Sequence, residues 1–172
     1  MARGIRAVAL IVVNPNGEVL LLQEFGSKPH IGKLAGMSSI PMETSAPREP
    51  DDMVLARLIA EELPGLAPKI TIEGRLGVYR IVPGVWATLY RAAIGDRSLP
   101  DAATSRAEVG NHAWVDPAEA ARLWLRQGAR EMLEDFASGR RGVVRKHCKA
   151  VSAASAALPT SNEISAGRLP RR

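Results

Sequence analysis

The chain has 172 residues, 46% hydrophobic and 24% charged, which is one domain's worth of ordinary globular composition and enough to bury a core without disulfides. Its single cysteine, Cys148, excludes an internal disulfide framework, and no apolar run approaches the roughly 18 residues a membrane-spanning helix needs. The net charge of +5 belongs to the C-terminal end: from Arg140 onward eight bases meet one acid, whereas residues 1 to 139 carry fifteen bases and seventeen acids.

The first element is Ile5 to Val13, a β-branched apolar run that reads as a buried strand. The residues before it, Met1 to Gly4, lead into that strand with no small-residue cleavage site after it, so a cytoplasmic protein is expected. Asn14-Pro15-Asn16-Gly17 is a strong turn signal, and Val19-Leu20-Leu21-Leu22 resumes the apolar run, giving a β-hairpin. Residues 25 to 50, rich in Gly, Pro and Ser, read as loop with one short strand near Met37 to Ile40. A helix is predicted from about Asp52 to Leu63. Pro50 and the acids Asp51 and Asp52 suit its start, and Pro64-Gly65 stops it. Its apolar positions Val54, Leu55, Ile59 and Leu63 recur at helical spacing and are expected to face the core. Ile70 to Ile81 and Val85 to Ile94 read as strands joined by a Pro83-Gly84 turn. After a loop at 95 to 104 comes a short strand, Asn111 to Val115. Asp116-Pro117 then starts a helix from Ala118 to Leu125, and a second runs from Gln127 to Ala137.

Residues 140 to 172 hold few large apolar side chains after Val144 and show no period, so the reading is a domain over 1–139 followed by a basic, disordered tail. The tail lacks aromatics to stack on bases, which disfavours nucleic acid as a partner. Strands and helices in this order imply an α/β arrangement around a mixed sheet, with the strand order open.

One stretch carries chemistry. In Ile40-Pro-Met-Glu-Thr-Ser-Ala-Pro-Arg-Glu-Pro-Asp-Asp-Met-Val-Leu-Ala-Arg-Leu-Ile-Ala-Glu-Glu-Leu-Pro-Gly-Leu66, Glu49 precedes Arg57 by seven intervening residues, and Glu61-Glu62 follows on the same helix. This resembles the Nudix box from Glu43 to Leu66, with departures. Leu58 stands where the family has a glutamate, Glu43 where it has a glycine, and Pro64 delays the closing Gly65-Leu66 by one residue. The late Asn111-His-Ala-Trp-Val-Asp-Pro also resembles the family's last strand, so the likeness spans roughly residues 4 to 138. It implies a Nudix-like α/β/α sandwich with a mixed β-sheet.

The resemblance also implies a chemistry. Family substrates are nucleoside diphosphates linked to another group. Carboxylates on one helix face hold Mg²⁺ (or Mn²⁺), which neutralises the pyrophosphate and activates water. Positions i, i+3 and i+4 share a face, and here they are Leu58, Glu61 and Glu62. Glu61 and Glu62 are therefore the implied metal ligands for a weakly bound ion, Glu108 a candidate catalytic base, and Glu49 and Arg57 a structural pair. If the match holds, Leu58 points into the same cleft as Glu62; otherwise it packs with Val54 and Leu55. Glu61-Glu62 could be a solvated acidic face, and Glu108 a surface acid near a strand start. His30, His112 and His147 show no metal-ligand spacing, and Trp86 and Trp114 suit a core.

Two functions follow. One is a Nudix-type hydrolase of a nucleoside-diphosphate-linked compound, weakened or altered by Leu58. The other is a catalytically inactive binding or regulatory module on the same fold. Both expect a nucleotide-derived small molecule as partner and no membrane, and leave a homodimer open.

Overall fold

The computed structural model describes residues 4–101 and 108–140. Its central strand is β1 (Ile5–Val13), whose side chains alternate between two apolar layers. Ala7, Ala9, Ile11 and Val13 enter one cluster and Val8, Leu10 and Val12 the other. A strand covered on both faces has no polar phase, which is why its sequence is continuously apolar.

The turn after β1 is built as its residues dictate. The Asn14 Oδ1 accepts the N–H groups of Asn16 and Glu18, and Gly17 takes the positive φ of 79°. Strand β2 (Val19–Glu24) returns antiparallel to β1. On the same sheet β3 (Ser38–Ser39) pairs with β2, and β4 (Met42–Thr44) with β1, both antiparallel. The long hairpin β5 (Ile70–Val82) and β6 (Val85–Ile94) adds its second strand parallel to β1. β7 (Val109–Val115) lies antiparallel beside β2. The order β3-β2-β1-β6-β5 makes one mixed sheet.

Helix α1 (Asp51–Glu62) covers one face, burying Val54, Leu55, Leu58 and Ile59 with Leu63 and Leu66 against Val8, Leu10 and Val12. The expected core positions of this helix are all buried. Each such side chain contributes about 1.5–3 kcal/mol by leaving water. The other face is covered by α2 (Pro117–Ala120), α3 (Ala129–Ala137) and the segment between them, through Ala120, Leu125, Met132 and Leu133. This is the expected α/β/α sandwich.

The structure departs from the sequence reading in five places, one being α3, which begins at Ala129 and not at Gln127. The strand expected at Met37 to Ile40 is two short strands, β3 and β4, separated by Ile40 and Pro41. A 3-10 turn, Pro29–Ile31, occupies part of the expected loop. β7 begins at Val109, two residues earlier than read. The helix expected from Ala118 to Leu125 stops at Ala120, because the chain beyond it is held as a sheet edge. Ser38 donates its N–H to the Trp124 carbonyl, and Arg126 donates to the Ser38 carbonyl, each at 2.8 Å. The expected tail beyond residue 140 and the end of the loop at 95 to 104 lie outside the described residues. No helix among the described residues is long and apolar enough to cross a membrane.

Candidate functional site

The C-terminal end of α1, the start of β4 and the loop after β2 enclose a cavity of about 530 Å³. Glu61, Glu62, Glu43 and Glu108 line it, and so do Lys28, Lys33 and Arg126. Of the acids named from sequence, Glu61, Glu62 and Glu108 share this cleft and Glu49 does not line it.

Leu58 does not meet them. Its side chain is fully buried in the cluster with Val54 and Leu55, on the sheet side of α1, and it is not part of the cavity wall. The expectation that it would point into the cleft beside Glu62 is corrected: the apolar residue is drawn into the core by the same burial that orients Val54 and Ile59. It is a packing residue, and no carboxylate stands in for it on α1.

Glu62 is part-buried, and its carboxylate accepts the Met42 N–H at 3.0 Å. Burial pushes its pKa up to about 8, the Met42 N–H opposes this, and the nearby Glu24 charge adds to the rise. Its backbone carbonyl lies 2.8 Å from the His112 Nε2, and burial holds the His112 pKa below the usual imidazole range. Glu61 is exposed at the rim. Arg57 pairs with Glu49 at 2.9 Å and with Glu43 at 2.7 Å, and donates to the Thr44 carbonyl. The glutamate at the glycine position of the box has thus become a second carboxylate for the box arginine. The Ala46 N–H and Arg57 together lower the Glu49 pKa.

The sequence reading missed an ion-pair network on the cavity wall. Glu24, at the end of β2, is 1% exposed and lies between two cations. Lys33 Nζ is 2.9 Å from one of its oxygens and Arg126 donates to the other at 3.1 Å. Both cations are 5% exposed. Lys33 also reaches Glu108 at 3.0 Å, as does Lys28 at 2.9 Å. Burial works against the charge on Lys33, but Glu24 and Glu108 outweigh it and raise its pKa. The two lysines hold Glu108 down at about 2. A hint lay in the sequence: Glu24 closes an apolar strand, and a buried acid demands cationic partners.

Local backbone explains how the lysines meet. Lys28 and Lys33 exchange backbone hydrogen bonds across the 3-10 turn, the N–H of each donating to the carbonyl of the other. Gly32 permits this with φ of 72°, where a Cβ would lie 2.9 Å from Gln127 Cβ.

No protein-family model matches the sequence, and no curated protein does. Solved structures match strongly. The E. coli ORF135 protein in solution is 25% identical, with TM-score 0.56 over 78% of this chain and 89% of its own. The MutT protein from Methanosarcina mazei Go1 is 21% identical, with TM-score 0.60 over 81% of this chain and 97% of its own. The NUDIX domain of Shewanella oneidensis NrtR, solved with ADP ribose, is 16% identical, with TM-score 0.62 over 81% of this chain and 90% of its own. The chain has the Nudix fold.

That fold implies a divalent metal, and the donors of this chain can be tested against it. Among the described residues no three His, Cys, Asp or Glu side chains converge as a ligand set. Glu61 and Glu62 are two adjacent carboxylates, and one already accepts a backbone N–H. Glu24 and Glu108 face ammonium and guanidinium groups. Mg²⁺ asks for near-octahedral oxygen ligation. This donor set does not fit a resident Mg²⁺ or Mn²⁺ centre.

Proposed function

We propose that the chain is a Nudix-fold domain that binds a nucleoside-diphosphate-linked small molecule in this cavity and hydrolyses it slowly or not at all. The observation that carries the reading is the fate of the base. The α1 position for a third carboxylate is Leu58, buried in the core. Glu108, the candidate replacement, is held at about 2 by Lys28 and Lys33. A carboxylate that acidic takes up a proton from water poorly at neutral pH, and a missing general base typically costs about 10²- to 10⁴-fold in rate. The cavity is large enough for a diphosphate and part of what it joins, and a structural neighbour of the same fold was solved with ADP ribose.

The test combines binding and turnover. Nucleoside diphosphate derivatives, ADP-ribose among them, are titrated calorimetrically, and phosphate or nucleotide release is followed with Mg²⁺ and Mn²⁺. Binding of at least one derivative with little or no product is expected. Rapid hydrolysis of any of them, lost in Glu62→Gln, would restore the enzyme reading and Glu61-Glu62 as metal ligands. Binding of none would leave the cavity without its proposed ligand.

A further inference from the structure

The cation cluster beneath the cavity is not explained by slow hydrolysis. A domain that had merely lost a carboxylate would have no reason to bury a lysine and an arginine beside its ligand site. Burying even a paired charge carries a large desolvation cost, offset only by close partners. Here three cations, Lys28, Lys33 and Arg126, share two carboxylates, Glu24 and Glu108, while of the other acids on the cavity wall Glu43 is paired with Arg57 and Glu61 and Glu62 stand across on α1. Arg126 contributes a second sign of an unfilled site. It is 5% exposed, lines the cavity, and its Nε has no hydrogen-bond partner among the described residues. An orphaned buried donor on a guanidinium is costly unless an acceptor arrives.

We infer that Lys28, Lys33 and Arg126 form a metal-independent site for the diphosphate of the ligand, supplying with fixed side-chain cations the charge that the fold elsewhere takes from divalent metal. This inference rests on the cavity being the ligand site, as proposed above. Glu108 is then a placeholder. Half exposed, and bonded to both lysines, it occupies the position a phosphate oxygen would take. A diphosphate displaces it and presents further oxygens to Lys33 and to the Arg126 guanidinium. Glu24, fully enclosed, stays as the counter-charge that keeps Lys33 and Arg126 in place when the cavity is empty. Arginine suits an acceptor with several oxygens because its donors are held in one plane.

The experiment uses inorganic pyrophosphate and, separately, ADP-ribose, titrated into the full chain in the presence of EDTA. Pyrophosphate is expected to bind without metal, and added Mg²⁺ to leave the affinity unchanged or lower it by sequestering the ligand. Lys28→Ala, at an exposed position, is expected to weaken binding about tenfold, the loss of one charge-assisted contact. Glu108→Gln is expected to tighten it, because the competing carboxylate is gone. A metal ligand or base would respond the other way. Lys33→Met can fail to fold by stranding Glu24, so Glu24→Gln with Lys33→Met is the paired control; the new amide oxygen can still accept from Arg126, and the pair is expected to abolish binding while keeping a cooperative melt. Pyrophosphate bound in EDTA with ADP-ribose ignored would retain this anion site and sink the nucleotide reading. ADP-ribose bound only with Mg²⁺, and indifferent to Lys28→Ala and Glu108→Gln, would overturn this inference and leave the proposed function standing.

Discussion

At the residue scale Leu58 and Glu108 decide what chemistry is left. Leu58 is enclosed by Val54, Leu55 and the sheet, so its removal creates a cavity rather than a vacancy at the surface. Leu58→Ala is expected to cost about 2–5 kcal/mol, read from denaturant unfolding. Restoring the family's glutamate is expected to be worse: Leu58→Glu buries an unpaired carboxyl and should lower the melting temperature by many degrees without creating turnover. A stable, active Leu58→Glu variant would show that the side chain can swing out to the cleft. Glu108 makes the opposite kind of contribution, an ion pair at the cavity mouth. Its folded pKa of about 2 lies below the ordinary 4.5, so its stabilising effect is present above 4.5 and lost as pH falls toward 2. The melting temperature of the natural protein should exceed that of Glu108→Gln by a constant margin from pH 7 to about 5, and the margin should shrink in stronger acid. A margin that instead appears only above neutral pH would mean Glu108 is not clamped by the lysines. Half of Glu108 is exposed, so the margin will be small.

At the element scale the sandwich was legible because its strands and α1 have single-valued patterns. β1 is apolar on both phases, the Asn-Pro-Asn-Gly turn leaves one way back, and α1 begins at acids and stops at Pro64-Gly65. The box positions placed Glu61, Glu62 and Glu43 at one cavity for the same reason. What escaped the sequence depends on contacts far apart in the chain. α2 ends early because Ser38, far away in the chain, claims the backbone at 124 and 126, and this also delivers Arg126 to the cavity. Glu24 closes an apolar strand, but nothing local shows that Lys33 and Arg126 are the cations that answer it. Leu58 was misread because helical spacing puts it with Glu61 and Glu62, while its apolar side chain and the neighbouring Val54 and Leu55 belong to the adjoining core stripe. The turn that joins the lysines is itself testable. At Gly32 an alanine meets both a left-handed backbone and the Gln127 Cβ, so Gly32→Ala is expected to cost about 1–2 kcal/mol and to weaken pyrophosphate binding as Lys33 is displaced. Undiminished binding in a variant that is clearly destabilised would separate the turn from the anion site.

At the scale of the whole molecule, charge is divided between two regions with opposite sign. The first 139 residues carry a net −2 and the remainder from Arg140 a net +7. A polyanion such as pyrophosphate could in principle be collected by either the cavity cations or the basic C-terminal stretch, and bulk electrostatics alone would favour the latter. Geometry argues for the cavity, where Lys33 and Arg126 are pre-positioned and shielded from solvent, so that each contact is stronger and less screened by salt. Both faces of the sheet are already covered by α1, α2 and α3, and the core needs nothing further from the chain to close. Truncation after Arg145 is therefore expected to leave the melting temperature nearly unchanged, and to leave pyrophosphate affinity in EDTA unchanged at 0.15 M salt, where exposed charges more than about 8 Å apart hardly act on one another. A fall of many degrees would show that the removed segment packs on the domain. A large loss of affinity at constant stability, steep in salt, would move the anion site from the cavity to the basic stretch.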